Sequence, residues 1–181
     1  TRNSFTKNSI EQNRFFENDN YVFDVEVDES VLPILKKIRG NSFILEDKFE
    51  ITRGVNPYDK YRGQSEEVIS NRAYHSSIKK DDTFVPELKG KHVATFQYKW
   101  DNKHFISYGN WLAAPRNPKF FKGARLVFRE IIGERFVCAV IEEYFIIDRS
   151  LYIALPKDEE IDAYFILGVL CSKLLVWLFK F

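Results

Sequence analysis

Apolar positions are sparse at the start of the chain and become regular further on. Residues 1–20 are polar and turn-rich, with Phe5, Phe15 and Phe16 as the only large anchors, and predict a connecting arm. In Tyr21-Val22-Phe23-Asp24-Val25-Glu26-Val27 the odd positions are apolar and the even ones partly polar, which predicts a half-buried strand. Asp28 is placed to cap a short helix with Val31, Leu32, Leu35 and Ile38 on its apolar face. Pro33 falls in its tolerant early turns and Gly40 closes it.

From Phe49 the period is mainly that of strands. Residues 49–53 read as a strand running into the turn Gly54-Val55-Asn56-Pro57-Tyr58, and residues 58–80 as a long surface loop with one helical turn. Further strands are expected at 92–100, 105–108, 125–131, 135–141 and 144–155, with Ile132-Gly133-Glu134 as a hairpin connection. Asp158, Glu159 and Glu160 then place negative charge at the start of an apolar C-terminal helix running to Leu178. The expected class is α+β: mixed, mostly antiparallel β-structure with flanking helices and an apolar C-terminal helix.

That helix raises the question of a membrane, and charge settles it. Asp162 and Lys173 bracket its uncharged stretch, so the roughly 18 clean residues of a span never accumulate. Aromatics, with 17 Phe and 9 Tyr, supply enough apolar mass for a folded core. Cys138 and Cys171 lie inside apolar runs rather than at ligand spacing, which predicts buried free thiols. No charged leader precedes an apolar run at the N-terminus, and a cytoplasmic protein is expected. No Met occurs anywhere, which reads as an excised piece of a longer chain.

Net charge is only +1, but its distribution is uneven. Between Arg53 and Arg135 stand 16 Lys and Arg against 9 Asp and Glu, so a basic middle lies between acidic flanks. Such a middle fits a polyanion-binding face. Catalytic patterns are lacking. Asn56-Pro57-Tyr58 approaches the loop that receives a flipped adenine, but lacks its second proline. No phosphate-cradling glycine loop appears, and His75, His92 and His104 have no partner at metal-ligand spacing. Glu66-Glu67, Asp81-Asp82 and Glu142-Glu143 are neighbours whose side chains diverge, so no nuclease centre, no metal and no cofactor is expected within the chain.

Three blocks in order, followed by a closing helical run, resemble a known family. Leu45-Glu46-Asp47-Lys48-Phe49-Glu50-Ile51-Thr52-Arg53-Gly54-Val55 is similar to a stretch ending in an Ile-x-x-Gly-Ile/Val turn. Val85-Pro86-Glu87-Leu88-Lys89-Gly90-Lys91-His92-Val93 looks like a Leu-(Lys/Arg)-Gly-(Lys/Arg)-Asp-Ile signature, from which His92 departs. Ile106-Ser107-Tyr108, followed by Pro118-Lys119-Phe120-Phe121-Lys122-Gly123-Ala124-Arg125-Leu126-Val127-Phe128-Arg129-Glu130-Ile131, is similar to an Ile-Tyr strand and a basic strand after it. The run Leu167-Gly168-Val169-Leu170-Cys171-Ser172-Lys173-Leu174 is similar to a closing Leu-x-x-Leu-Asn-Ser-Lys helix, with Cys171 in place of Asn. The family is the TaqI-like C-terminal specificity domain of N6-adenine DNA methyltransferases and type IIG restriction-modification enzymes.

The resemblance implies a target-recognition domain over 45–181, with 1–44 an arm, strand and short helix leading from a methyltransferase domain of the same chain. It implies double-stranded DNA as partner and S-adenosylmethionine as the parent enzyme's cofactor. With the basic middle, it nominates Lys60, Arg62, Lys89, Lys91, Arg116, Lys119, Lys122 and Arg125 for phosphates. Arg53, Asn56, Gln64, Gln97, Asn110 and Asn117 are the candidates for reading base edges. Tyr58, Tyr61, Tyr98, Trp100 and Trp111 are mostly core, with stacking on bases as the other reading. Arg129 and Glu130 point to opposite faces of a strand, so one faces DNA or both are structural. The alternative for the whole chain is an interdomain or protein-interaction scaffold that never touches DNA.

Overall fold

A computed structural model describes residues 9–18, 21, 23, 25, 27–131, 133 and 135–179. The chain divides into two compact units, Thr1–Phe43 with Trp177–Phe181, and Ile44–Val176. In the first, a 3-10 turn spans Gln12–Glu17 and helix α1 spans Leu32–Gly40, burying Leu35. Asp28 does not cap α1. Its carboxylate instead accepts the Ser30 N–H at 2.8 Å, closing a local turn one step ahead of the helix.

The strand expected at 21–27 does not form at its described positions. Tyr21 has φ +56, which extended backbone cannot carry, and Val25 lies in a turn. The aromatic rings there pack on one another, Phe15 against Phe23 at 4.8 Å, rather than along a pleat. Val22, Asp24 and Glu26 lie outside the described residues, as does Phe5.

The larger unit holds mixed sheets flanked by helices, an α+β fold. Helix α2 covers Leu45–Lys48 and α3 Glu66–Ser70. Strands β1 Phe49–Arg53, β10 Leu151–Pro156, β7 Arg125–Arg129 and β8 Cys138–Ile141 form one antiparallel sheet in that order. A second sheet orders β2 His75–Ser76, β6 Phe105–Ser107, β3 Phe84–Leu88 and β9 Ile146–Ile147, with β3 and β9 parallel. Strands β4 Val93–Ala94 and β5 Gln97–Tyr98 make a separate hairpin.

Both faces of the first sheet are buried, which explains why its strands are nearly continuous in apolar residues. Val127, Ala139, Ile141 and Ile153 share one core with Leu88, Ile106, Ile146 and Ile147 of the second sheet. Their strand neighbours Leu126, Cys138, Val140 and Ala154 face the other way, onto Ala163, Ile166 and Leu167 of helix α4, Ala163–Leu170. Cys138 is a buried free thiol and Cys171 a free, partly buried one.

Three expectations change here. The expected strand 92–100 is a 3-10 turn at Gly90–His92 followed by the β4–β5 hairpin. The expected strand 144–155 breaks between β9 and β10, where Asp148, Arg149 and Ser150 turn the chain and Asp148 Oδ1 accepts the Ser150 N–H. Val55 docks there through Val55 N–H to Ile147 O at 2.7 Å, and Gly54 lies so close that a Cβ would sit 2.2 Å from Asp148 O. The C-terminal helix is two helices, α4 and α5 Lys173–Leu178. Asp162, not the acidic triplet, caps α4 by accepting the Tyr164 and Phe165 N–H groups, and Ser172 Oγ accepts from Leu175 N–H beyond the break.

The expected hairpin at 132–134 has Ile132 and Glu134 outside the described residues. Among those described, no helix is long and apolar enough to cross a membrane.

Candidate functional site

Where β1 ends, the chain meets the β9–β10 turn and the segment 113–116. A cleft of about 210 Å³ opens between them, lined by Arg53, Asn56, Asp59, Arg62, Arg116 and Arg149 among others. Its walls are fixed by the fold. Arg53 Nε donates to Arg149 O at 2.9 Å and its Nη2 pairs with Glu130 at 2.6 Å. Arg116 Nε donates to Arg53 O and Gly54 O, and Tyr108 Oη holds Arg116 O.

The Arg116 backbone is left-handed, φ +65, a conformation that costs a non-glycine residue of order 1 kcal/mol or more. Its side chain crosses back over the Gly54 turn as a result. Asn56 is fixed by its backbone to Ala114 in both directions, and Asp59 caps the 3-10 turn Lys60–Arg62 that presents Arg62.

Four guanidiniums thus meet two carboxylates, Glu130 and Asp59, leaving a surplus of two positive charges. Planar guanidinium forks match the paired oxygens of a phosphate, and the volume, that of roughly seven waters, suits one such group with its hydration. The cleft therefore joins Arg53, Asn56, Arg62 and Arg116 of the nominated residues. Arg149 was missed, because its stretch reads as one unbroken strand. The polar triple Asp148-Arg149-Ser150 inside an apolar run was the available signal.

The other nominated residues scatter. Lys60 is exposed, with its ammonium 4.8 Å from the Tyr61 ring centre, and Lys122 is exposed. Lys91 pairs with Asp101 at 3.3 Å, Lys119 with Glu50 at 2.5 Å and Lys89 with buried Glu87 at 3.0 Å. Gln97, Asn110 and Asn117 are exposed, and Asn117 Oδ1 accepts the Lys119 N–H. Tyr98 and Trp100 pack on the core, Tyr58 stacks on Tyr74, Trp111 donates to Ser107 O, and Tyr61 is 85% exposed.

Two nominations are corrected. Arg125 is fully buried, its guanidinium donating to Gly123 O, Ile141 O and Glu143 O, so it cannot meet a phosphate. Burial pushes its pKa down to about 10, and it stays charged at neutral pH. Gln64 has no amide group left for a base: its Nε2 donates to Pro57 O and Trp111 O, and its Oε1 accepts the Asp59 N–H. Arg129 is spent on Gly90 O and Val93 O, and Glu130 on Arg53.

The histidines, isolated in sequence, are joined by the fold. Tyr58 Oη accepts the Tyr74 N–H and donates to His75 Nδ1, so His75 Nε2–H reaches Glu87 at 3.1 Å. His92, Asp101 and His104 offer ligand atoms within 4.8 Å of one another. Lys89 N–H occupies the His92 Nδ1 lone pair, which places the ring proton on Nε2, 3.2 Å from Asp101. A metal ion needs that Nε2 lone pair with the other nitrogen protonated, so the cluster fits an ion-pair hub better than a metal site. Asp101 accepts from His104 and Lys91.

No curated protein matches the chain. The family model of the TaqI-like C-terminal specificity domain matches residues 85–181, just over half of the sequence, taking in β3 to α5. The chain belongs to the TaqI-like C-terminal specificity domain family.

Proposed function

We propose that this chain reads the DNA target for an adenine N6-methyltransferase, in the manner of a type IIG restriction-modification enzyme. Its catalytic domain would precede this segment in the same chain and use S-adenosylmethionine. Membership of a specificity-domain family supports target recognition in a restriction-modification setting. The observation that carries the reading to particular residues is the arginine cleft. Arg62, Arg116 and Arg149 form no ion pair among the described residues, while Asn56 beside them offers a donor and an acceptor for a base edge.

In this scheme the guanidiniums take a backbone phosphate and fix the register, and Asn56 reads at the rim. Exposed Gln97 and Asn110 remain further candidates for reading bases. The test is fluorescence anisotropy of labelled duplex DNA with the full chain over a salt series. Arg62→Gln and Arg149→Gln should each weaken binding about 3- to 10-fold and lower the slope of log K against log salt by about 0.9. Unchanged affinity and slope in both variants would refute the role of the cleft.

A further inference from the structure

A second concave, cationic surface lies elsewhere on the larger unit, outside the arginine cleft. Its volume is about 340 Å³, and Asn71, Arg72, His75, Lys89, Lys103 and His104 are among the residues that line it. They come from the end of α3, from β2, from the end of β3 and from the approach to β6. Apart from Lys89, none was nominated from the sequence as a phosphate ligand.

The carboxylates near it are already engaged. Buried Glu87 is held by His75 and Lys89, and Asp101 by Lys91, His92 and His104. Among the described residues, neither Arg72 nor Lys103 has a carboxylate partner. Two uncompensated positive charges therefore stand at the wall of a cleft otherwise rich in hydrogen-bond donors.

The backbone at Arg72 adds an independent observation. Helix α3 ends with Arg72 N–H on Ile69 O and Ala73 N–H on Val68 O, which is the Schellman arrangement. Arg72 occupies its left-handed position, φ +49, where glycine is the usual residue. An arginine in that place carries a Cβ penalty that glycine avoids. Its guanidinium lies 5.9 Å from the Tyr58 ring centre, and Arg72 itself lines the cleft.

We propose that this cleft seats a second phosphate group of the bound duplex, gripped by Arg72 and Lys103 and separate from the arginine cleft. The proposal rests on the DNA-reading function above. Its test uses the full chain, the same duplex titration over a salt series, and Arg72→Gly and Lys103→Gln. Each variant should lose about 3- to 10-fold in affinity and about 0.9 in salt slope. Arg72→Gly should melt no lower than the unaltered chain, because glycine suits the helix end.

Inorganic phosphate, followed through the imidazole proton signals, separates the possible sources of the anion. Signals of His75 and His104 should move on adding phosphate, and should stay still in Arg72→Gly. If both variants keep full affinity and slope while Arg149→Gln loses them, the second grip is wrong and the first stands. If phosphate moves those signals but the variants leave duplex binding unchanged, the cleft holds a free phosphate and the DNA assignment is overturned. If phosphate binds here and no duplex binds at any salt, the recognition reading falls while the anion site survives.

Discussion

Replacing Arg125 separates two roles that a basic sequence leaves open. The side chain is inaccessible, and its Nη1 and Nη2 donate to three carbonyl oxygens at 2.8, 3.3 and 2.9 Å. Arg125→Met removes all three donors while keeping an unbranched apolar stem. An orphaned buried carbonyl costs about 1–3 kcal/mol. Ile141 O keeps its place in the β7–β8 ladder, and relief of the guanidinium's own desolvation offsets part of the loss. The net destabilisation should be about 2–4 kcal/mol, or a Tm lower by roughly 5–15 °C for a chain of this size. Thermal unfolding followed by circular dichroism measures it. The salt slope of DNA binding, read below the transition, should not change, because no phosphate contact has been lost. A phosphate-contacting surface arginine predicts the opposite pair: stability within about 0.5 kcal/mol and a slope lower by about 0.9. That second outcome would refute the structural assignment.

Gly54→Ala drives a Cβ to 2.2 Å from Asp148 O and 2.4 Å from Ile147 O, both backbone atoms. It should cost about 3 kcal/mol or more in thermal unfolding and weaken duplex binding, because Arg116 rests on the Arg53 and Gly54 carbonyls. A stability matching the unaltered chain would contradict the close approach. Burial holds the His92 pKa below its usual value despite the Asp101 carboxylate beside it. The unfolded chain then binds that proton more readily, so stability is full above about pH 6.5 and falls as pH drops below it. Asp101 is held low too: burial pushes its carboxyl up, but the His104, Lys103, His92 and Lys91 contacts outweigh it, so its own loss begins only below about pH 4. Urea titrations at pH 7.5 and 5.5 should show the decline, and His92→Asn, which keeps an acceptor for Lys89 N–H, should flatten it.

Elements with strong local periodicity were legible. Strand 49–53 has the expected bounds, its alternate residues Phe49 and Ile51 entering one core, and 125–129 and 138–141 lie inside the expected ranges, their alternate residues entering two different cores. What failed was decided by tertiary contact. The apolar run 144–155 contains no glycine or proline to break it, yet Gly54 and Val55 from a distant turn hold its bend between β9 and β10. Residues 21–27 alternate as a strand does, but at the described positions the alternation serves ring packing instead. The C-terminal helix breaks at Ser172, whose hydroxyl caps a new start within a run that hydrophobicity alone would join.

The candidate site divides along the same line. A basic segment can be counted from residues, but whether a cation is available depends on what faces it across the fold. Arg125 and Gln64 looked as free as Arg62 and Asn56 until the carbonyls around them were placed. Arg149 and Arg72 were missed for different reasons: the polar triple around Arg149 interrupts a run read as one strand, and Arg72 lies in a long surface loop whose helix end no glycine marks. Arg72 and Arg116 both carry left-handed backbone, and each lines a cationic cleft of the larger unit. Propensity disfavours both, so the side chain rather than the turn accounts for the residue. If that reasoning holds, glycine at 72 preserves the fold and glycine at 116 removes a clamp on the Gly54 turn. The two replacements would look equivalent by conformational preference alone, and should differ in stability because only Arg116 donates to backbone carbonyls that shape its cleft.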